Sequence, residues 1–314
     1  MRMILLIKSG GAQALPEWRD AFAAVLPEAE VRLWGDPGVP AAAVRYALVW
    51  EPERGALARY PNLRLAISAG AGIEHMLADD LLPPGLPLAR LVLPETQQGM
   101  AEFVAMGALM LMRGMGGSAR DQQQRRWRAP PPTPLAQRTR VGVMGLGALG
   151  LHAARYLAGM GFSVQGWSRS AKAIDGVATY HGMAQLPDFL ARSDILVNLL
   201  PQTAGTAGLL NRERLAMLPR GAQLLNAGRA AHVVQGDLLD ALDSGHLGGA
   251  LLDVFDVEPL PESSPLWDHP RVIVTPHCAA TPSRRDRARR AAELIRMAEG
   301  GGEVEDVYEV GRGY

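Results

Sequence analysis

Three side chains suited to acid–base work and anion binding stand late in the sequence, each at or just past the end of an apolar, strand-like run. Arg229 lies in NAGRA, Glu258 in LLDVFDVEPLP with Asp253 ahead of it, and His277 in VIVTPHCAA. A guanidinium is a planar, permanently charged fork that matches a carboxylate. An imidazole changes protonation near neutral pH, so it can give or take a proton, and a carboxylate beside it fixes its orientation. Singly, each has an ordinary structural reading: a TPH histidine caps or packs, an EP step turns, a lone arginine pairs at the surface. Together, on strands that a parallel sheet would align at one edge, they form a candidate catalytic group.

That edge needs a scaffold, and residues 139–161, TRVGVMGLGALGLHAARYLAGMG, signal one. Gly145, Gly147 and Gly150 stand in GxGxxG spacing between an apolar strand over 141–144 and a helical run over 148–160. Gly145 permits the tight turn, Gly147 lets backbone approach a pyrophosphate, and Gly150 lets helix and strand pack closely. The free N–H groups of the helix N-terminus suit phosphates. The alternative, a glycine-rich turn with no ligand, lacks a reason for the strand–turn–helix context. The next strand, 162–170, ends in Ser168, Arg169 and Ser170. A site for NAD usually carries Asp or Glu there, about 20 residues on. A carboxylate repels a 2′-phosphate, whereas a guanidinium flanked by hydroxyls holds one. The sequence therefore predicts NADP(H) as preferred cofactor, with NAD(H) usable; the competing reading makes Arg169 a solvated surface residue.

The surrounding elements alternate short apolar runs with Ala/Leu-rich helical segments, the pattern of βαβ units. Strands are expected over Met3–Lys8, 31–34, 46–50 and Leu65–Ser68, with a helix over 17–25. A Met/Ala-rich helix is expected over 97–115, then an extended connection through RRWRAPPPTP, 125–134, because three prolines cannot continue a helix. Further strands are expected over 193–203 and 221–230, and an Arg/Ala-rich helix over 284–300 that packs back on the first unit. The fold class is α/β, with two Rossmann-like doubly wound parallel-sheet domains. Residues 1–96 and 285–314 would make a discontinuous substrate domain and 97–284 the cofactor domain, with the active site in a cleft between them.

The whole-chain properties narrow the class. The chain has 314 residues, 32 Lys plus Arg against 32 Asp plus Glu, and 48% hydrophobic content. Such a balance gives no long-range pull on nucleic acid or an anionic membrane; Arg125, Arg126 and Arg128 around Trp127 read as a solvated connection. The single cysteine, Cys278, excludes an internal disulfide, and the apolar run 103–112 is well short of the ~20 residues of a membrane span. A cytoplasmic protein is expected. The seven histidines show no metal-ligand spacing.

The succession GLGALG, LPQT, NAGRA, LDVFDVEPLP and TPHCAA resembles the D-isomer-specific 2-hydroxyacid dehydrogenases, and ALVWEP, SAGAGIEHM, GWSRS, SPLWDHPRVIVTPH and the C-terminal GRGY resemble their glyoxylate/hydroxypyruvate reductase A subgroup. The resemblance implies reduction of small 2-keto acids such as glyoxylate and hydroxypyruvate by hydride transfer from NADPH. Arg229 would clamp the carboxylate and keto oxygens, His277 would donate the proton, and Glu258 would orient the imidazole. It also implies cofactor contacts at Ala148, Leu149, Leu200, Pro201, Thr206, Ala227 and Asp253, beside the glycines and 168–170. Substrate contacts fall on Trp50 and on the backbone N–H groups of Ala69, Gly70, Ala71 and Gly72, along with Arg229 and His277. Trp50 is equally read as core packing. The apolar helix near 103–112 resembles a dimer arm, so a homodimer is expected; a helix buried within one subunit is the alternative. Two departures stand out: Ala230 replaces the usual glycine after the arginine, and the nucleotide-site acid is missing. Glu74 has no assigned role. The rival function is a nicotinamide-cofactor-sensing binding protein that reuses the fold without turnover.

Overall fold

The structure is a computed structural model that describes residues 3–129 and 131–308; the GRGY segment lies outside the described residues. The chain divides into two units, one formed by residues 1–96 and 281–314 and the other by 97–280.

The first unit carries a parallel sheet built from β1 (Met3–Lys8), β2 (Ala29–Leu33), β3 (Val44–Val49), β4 (Leu65–Ser68) and β5 (Leu88–Arg90), in the order β2-β1-β3-β4-β5. The central strands β1, β3 and β4 are largely buried and mostly apolar because both faces are covered. On one face α1 (Leu15–Val25) packs with the last helix of the chain, whose small side chains Ala288, Ala291 and Ala292 share a core with the buried rings of Trp18 and Phe22. A short α2 (Glu74–Leu77) follows β4.

The second unit holds seven parallel strands: β6 (Arg140–Met144), β7 (Ser163–Ser168), β8 (Ala178–His181), β9 (Ile195–Asn198), β10 (Ala222–Asn226), β11 (Leu247–Leu252) and β12 (Val272–Val274), ordered β12-β11-β10-β9-β6-β7-β8. Its helices are α3 (Pro94–Met112), α4 (Met115–Gln123), α5 (Ala148–Gly159), α6 (Leu186–Leu190), α7 (Arg212–Ala216) and α8 (Gln235–Asp243); α9 (Arg284–Glu299) belongs to the first unit. The chain leaves β6 toward β7 and β8, then returns to the other side of β6 at β9. That reversal opens a crevice at the carboxyl ends of β6 and β9, where such sheets bind ligands.

Two expectations about elements are corrected. The helix expected over 97–115 ends at Met112, because Gly114 adopts a left-handed φ of 64°, and a second helix starts at Met115. The strands expected over 193–203 and 221–230 stop at Asn198 and Asn226, whose buried side chains turn the chain at the sheet edge. Among the described residues no helix is long and apolar enough to cross a membrane.

Candidate active site

At the head of the crevice the three glycines meet different demands. Gly145 has φ +94°, and a Cβ there would come within 2.7 Å of the Leu199 carbonyl oxygen. A Cβ on Gly150 would lie 1.9 Å from the Gly145 carbonyl oxygen, so α5 can approach the turn only as glycine. Gly147 is the N-cap of α5, has no side-chain cap, and a Cβ there would meet nothing within 4 Å. The protein therefore does not require glycine at that point, which is the position where a pyrophosphate would come against the backbone. Ala148 is exposed on the first turn of α5, and Leu149 packs into the core beneath it.

The end of β7 fits a 2′-phosphate better than a bare ribose. No carboxylate stands there, and Arg169 and Ser170 are exposed. Ser168, expected as a ligand, is buried and its hydroxyl donates to the Ser170 carbonyl at 2.8 Å, so its proton is committed to the turn. A further cation went unnoticed in the sequence: Lys172 donates from Nζ to the Leu146 carbonyl at 2.5 Å, which brings it onto the glycine turn itself. Across the crevice, Leu200 is buried with its N–H directed at Asn198 Oδ1 (3.3 Å), and the Thr206 hydroxyl donates to the carbonyl of the exposed Pro201 at 2.9 Å. Ala227 is buried and donates its N–H to the Asn198 carbonyl.

The catalytic candidates stand past β10, β11 and β12, three neighbouring strands. Nδ1 of His277 is 2.7 Å from Oε2 of Glu258, and Oε1 of the same carboxylate accepts the Phe255 N–H at 2.9 Å. Both side chains are about one-third exposed, at 37% and 34%. Glu258 accepts from Nδ1, which makes Nε2 the nitrogen on the far side of the ring from the carboxylate. His277 itself has φ 49°, an uncommon value for a residue with a side chain. Asp253 supplies the restraint. It is buried, its Oδ1 accepts from the Thr275 hydroxyl (2.6 Å) and the Cys278 N–H (2.9 Å), and its Oδ2 accepts from the Ala279 N–H (2.9 Å). Asp253, expected beside the cofactor, clamps both flanks of the turn that carries His277. Cys278, beside that carboxylate, has a thiol pKa pushed up by burial and by the Asp253 charge, the opposite of an activated nucleophile.

Arg229 is half-buried and donates from Nη1 to the Gly228 carbonyl at 2.7 Å. Its own carbonyl accepts from Asn226 Nδ2 at 3.2 Å. Asn226 Oδ1 in turn accepts from Asn198 Nδ2 (2.8 Å), which also reaches His232 Nδ1 (2.9 Å), while His232 Nε2 faces the Pro201 carbonyl (3.2 Å). This buried amide–imidazole chain joins the loop after β9 to the loop bearing Arg229. Gly228 sits against it: a Cβ would come 3.0 Å from Asn198 Nδ2. Ala230 is not among the residues with positive φ, so its methyl sits without backbone strain.

In the first unit, the 69–72 loop follows β4. The Ala69 N–H donates to the Val49 carbonyl at 2.8 Å, so the donors this loop can offer start at Gly70, contrary to the expectation that included Ala69. The loop's carbonyls are held inward: that of Gly70 accepts the Leu91 N–H (3.1 Å) and that of Gly72 the Ser68 hydroxyl (2.6 Å). Trp50 is half-buried against His75, with ring centroids 4.5 Å apart.

Comparison with known proteins adds four findings. Residues 105–279 match the family described as D-isomer specific 2-hydroxyacid dehydrogenase, NAD binding domain. The chain is 40% identical over 303 residues to glyoxylate/hydroxypyruvate reductase A of Serratia proteamaculans, covering 95% of this chain and 96% of that one. Among solved structures it is similar, with TM-score 0.91 and 43% identity over 100% of both chains, to a D-isomer specific 2-hydroxyacid dehydrogenase from Xanthobacter autotrophicus Py2 in complex with NADPH and MES. A second, with TM-score 0.89 and 38% identity over 99% of this chain and 100% of that one, is an NADPH-dependent glyoxylate/hydroxypyruvate reductase from Sinorhizobium meliloti in complex with NADP and sulfate.

Proposed function

The chain belongs to the D-isomer-specific 2-hydroxyacid dehydrogenases, and from that premise we propose that it reduces glyoxylate and hydroxypyruvate to 2-hydroxy acids with NADPH. The observation that carries the chemistry is the His277–Glu258 pair at 2.7 Å, on a strand end two strands from the one that presents Arg229. The Arg229 fork grips the carboxylate and keto oxygens and stabilises the charge that grows on the latter. When bound, NADPH supplies the hydride to the keto carbon. His277 passes a proton from Nε2 to the keto oxygen, which becomes the hydroxyl, and Glu258 holds the resulting imidazole in place. The N–H groups of Gly70, Ala71 and Gly72 are assigned the carboxylate's remaining hydrogen bonds. Arg169, Ser170 and Lys172 are assigned the 2′-phosphate, and the 145–150 turn the pyrophosphate.

We place the enzyme in the cytosol as a homodimer. Support for the dimer is the apolar face of α3 and α4, where Met106, Leu109 and Met115 are 43%, 36% and 47% exposed. Light scattering at micromolar concentration that returned a monomer would end the dimer assignment.

The deciding experiment is a panel of 2-keto acids with NADPH and NADH, followed by the absorbance of the reduced cofactor. Turnover of glyoxylate and hydroxypyruvate with NADPH is expected. Cofactor binding without turnover of any keto acid would overturn the assignment in favour of a sensor.

A further inference from the structure

His75 lies in the first unit, on the short helix after the 69–72 loop, and joins every part of that unit assigned to the substrate. Its Nδ1 accepts the N–H of Glu51 at 3.3 Å, which fixes the tautomer: Nε2 carries the proton and faces Ser68 Oγ at 3.1 Å. The Ser68 hydroxyl then donates to the Gly72 carbonyl at 2.6 Å, and the Gly70 N–H approaches Ser68 Oγ at 3.4 Å. The chain of donors thus runs from Glu51 through His75 and Ser68 to Gly72 in one direction. Its starting end is conformationally unusual. Glu51 has φ 49°, directly after Trp50, and the Trp50 ring is so close to Gly70 that a Cβ there would meet Cζ3 at 2.9 Å. The imidazole ring also meets that same indole in a tilted contact, at an interplanar angle of 54°. One side chain therefore fixes both the turn that aims Trp50 and the carbonyl that sets the path of the 70–72 backbone.

The geometry assigns His75 as the positioning residue of the substrate site. By bridging Glu51 and Ser68 it holds the Trp50 ring and the 70–72 amides as one rigid wall, and so restricts the site to 2-keto acids with short side chains. Gly70 and Trp50 leave each other no slack, so an acid with a bulky substituent would need the indole to swing, and the bonds to Glu51 and Ser68 oppose that movement. This inference rests on the reading that the 69–72 loop receives the substrate's carboxylate.

The test compares the wild type with His75→Phe, Ser68→Ala and the double variant. Phenylalanine keeps the ring on Trp50 and removes both hydrogen bonds. Each single change is expected to raise the KM for glyoxylate about tenfold with kcat within about threefold, and to leave the NADPH Kd unchanged. The ratio of phenylpyruvate to glyoxylate kcat/KM should rise, and the double variant should be no worse than either single, because one network is lost once. Additive effects of the two changes, or an equal loss of NADPH affinity, would overturn the assignment. Deuterium exchange of the 69–77 segment gives a reading independent of turnover. Faster exchange at Gly70–Gly72 in His75→Phe, with the strands of the second unit unchanged, supports the positioning role; unchanged exchange refutes it. If the wild type turns over no keto acid, the functional reading fails by itself, and exchange alone decides the role of His75.

Discussion

The carboxylate of Glu258 faces two partners at once: Oε2 meets His277 Nδ1 at 2.7 Å and Oε1 takes the Phe255 N–H. The glutamate is therefore anchored by backbone before it orients the imidazole. Glu258→Gln keeps the shape and can present its amide nitrogen where His277 needs an acceptor. It should lower kcat with glyoxylate by about 10²-fold, close to the loss from His277→Ala, with little further loss in the double variant. Full additivity in steady-state kinetics would show that the two act separately.

Asp253 makes a second prediction. Asp253→Asn leaves only one acceptor oxygen for three donors and turns an N–H₂ toward the N–H of Ala279 or Cys278. A loss of about 1–3 kcal/mol in unfolding free energy is expected, together with a fall in kcat, since the left-handed turn at His277 loses its restraint. Calorimetry and kinetics on the same sample check it; normal kcat in a destabilised protein would separate the clamp from catalysis.

The three glycines should fail differently. Gly150→Ala places a methyl on the Gly145 carbonyl and should prevent α5 from docking, which circular dichroism and Tm would report. Gly147→Ala meets no protein atom, so the variant should fold with an unchanged Tm and lose NADPH affinity by about tenfold or more. An unaltered Kd for Gly147→Ala would argue that the dinucleotide passes elsewhere.

Cofactor choice should sit on two cations. Arg169→Ala and Lys172→Met are each expected to raise the KM for NADPH about tenfold and that for NADH by less than about twofold. Equal effects on both cofactors would remove the 2′-phosphate from the explanation.

Acid stability should report the Arg140–Asp194 pair of the second unit. Burial alone would raise the Asp194 carboxyl, but hydrogen bonds from the Arg140 side chain (2.6 Å) and backbone N–H (2.9 Å) outweigh it and hold the pKa below the usual value. A carboxyl lowered on folding contributes stability that is complete above the unfolded value of about 4 and vanishes as pH falls through the folded one. Asp194→Asn should therefore flatten the decline of Tm below about pH 4 while lowering Tm at neutral pH. Parallel Tm–pH curves for the two proteins would contradict this.

What could be read in the sequence was what neighbouring residues decide together. Gly145, Gly147 and Gly150 each serve a turn only a few residues long, so strand, turn and helix were visible at once, as were the limits of β1 and β4. Gly114 was missed because one glycine inside an apolar helical period looks tolerable until its φ is known. The five-residue helices α6 and α7 are too short to show a period. The role of Asp253 was hidden for a different reason: its donors come 22 to 26 residues later, and an acid after a strand looks the same whether it meets a ligand or a turn. The chain from Asn198 through Asn226 and His232 is likewise assembled from separate loops. The Ala69 N–H was assigned outward because an extra ladder bond to Val49 leaves no trace in composition.

The pairing of α1 with α9 also sets an order of events during synthesis. Trp18 and Phe22 lack the part of their cover that Ala288, Ala291 and Ala292 provide until those residues have left the ribosome, whereas residues 97–280 are complete before then. The later-encoded unit can fold first, and the amino-terminal segment must wait with an open aromatic face, a natural target for a chaperone until translation ends.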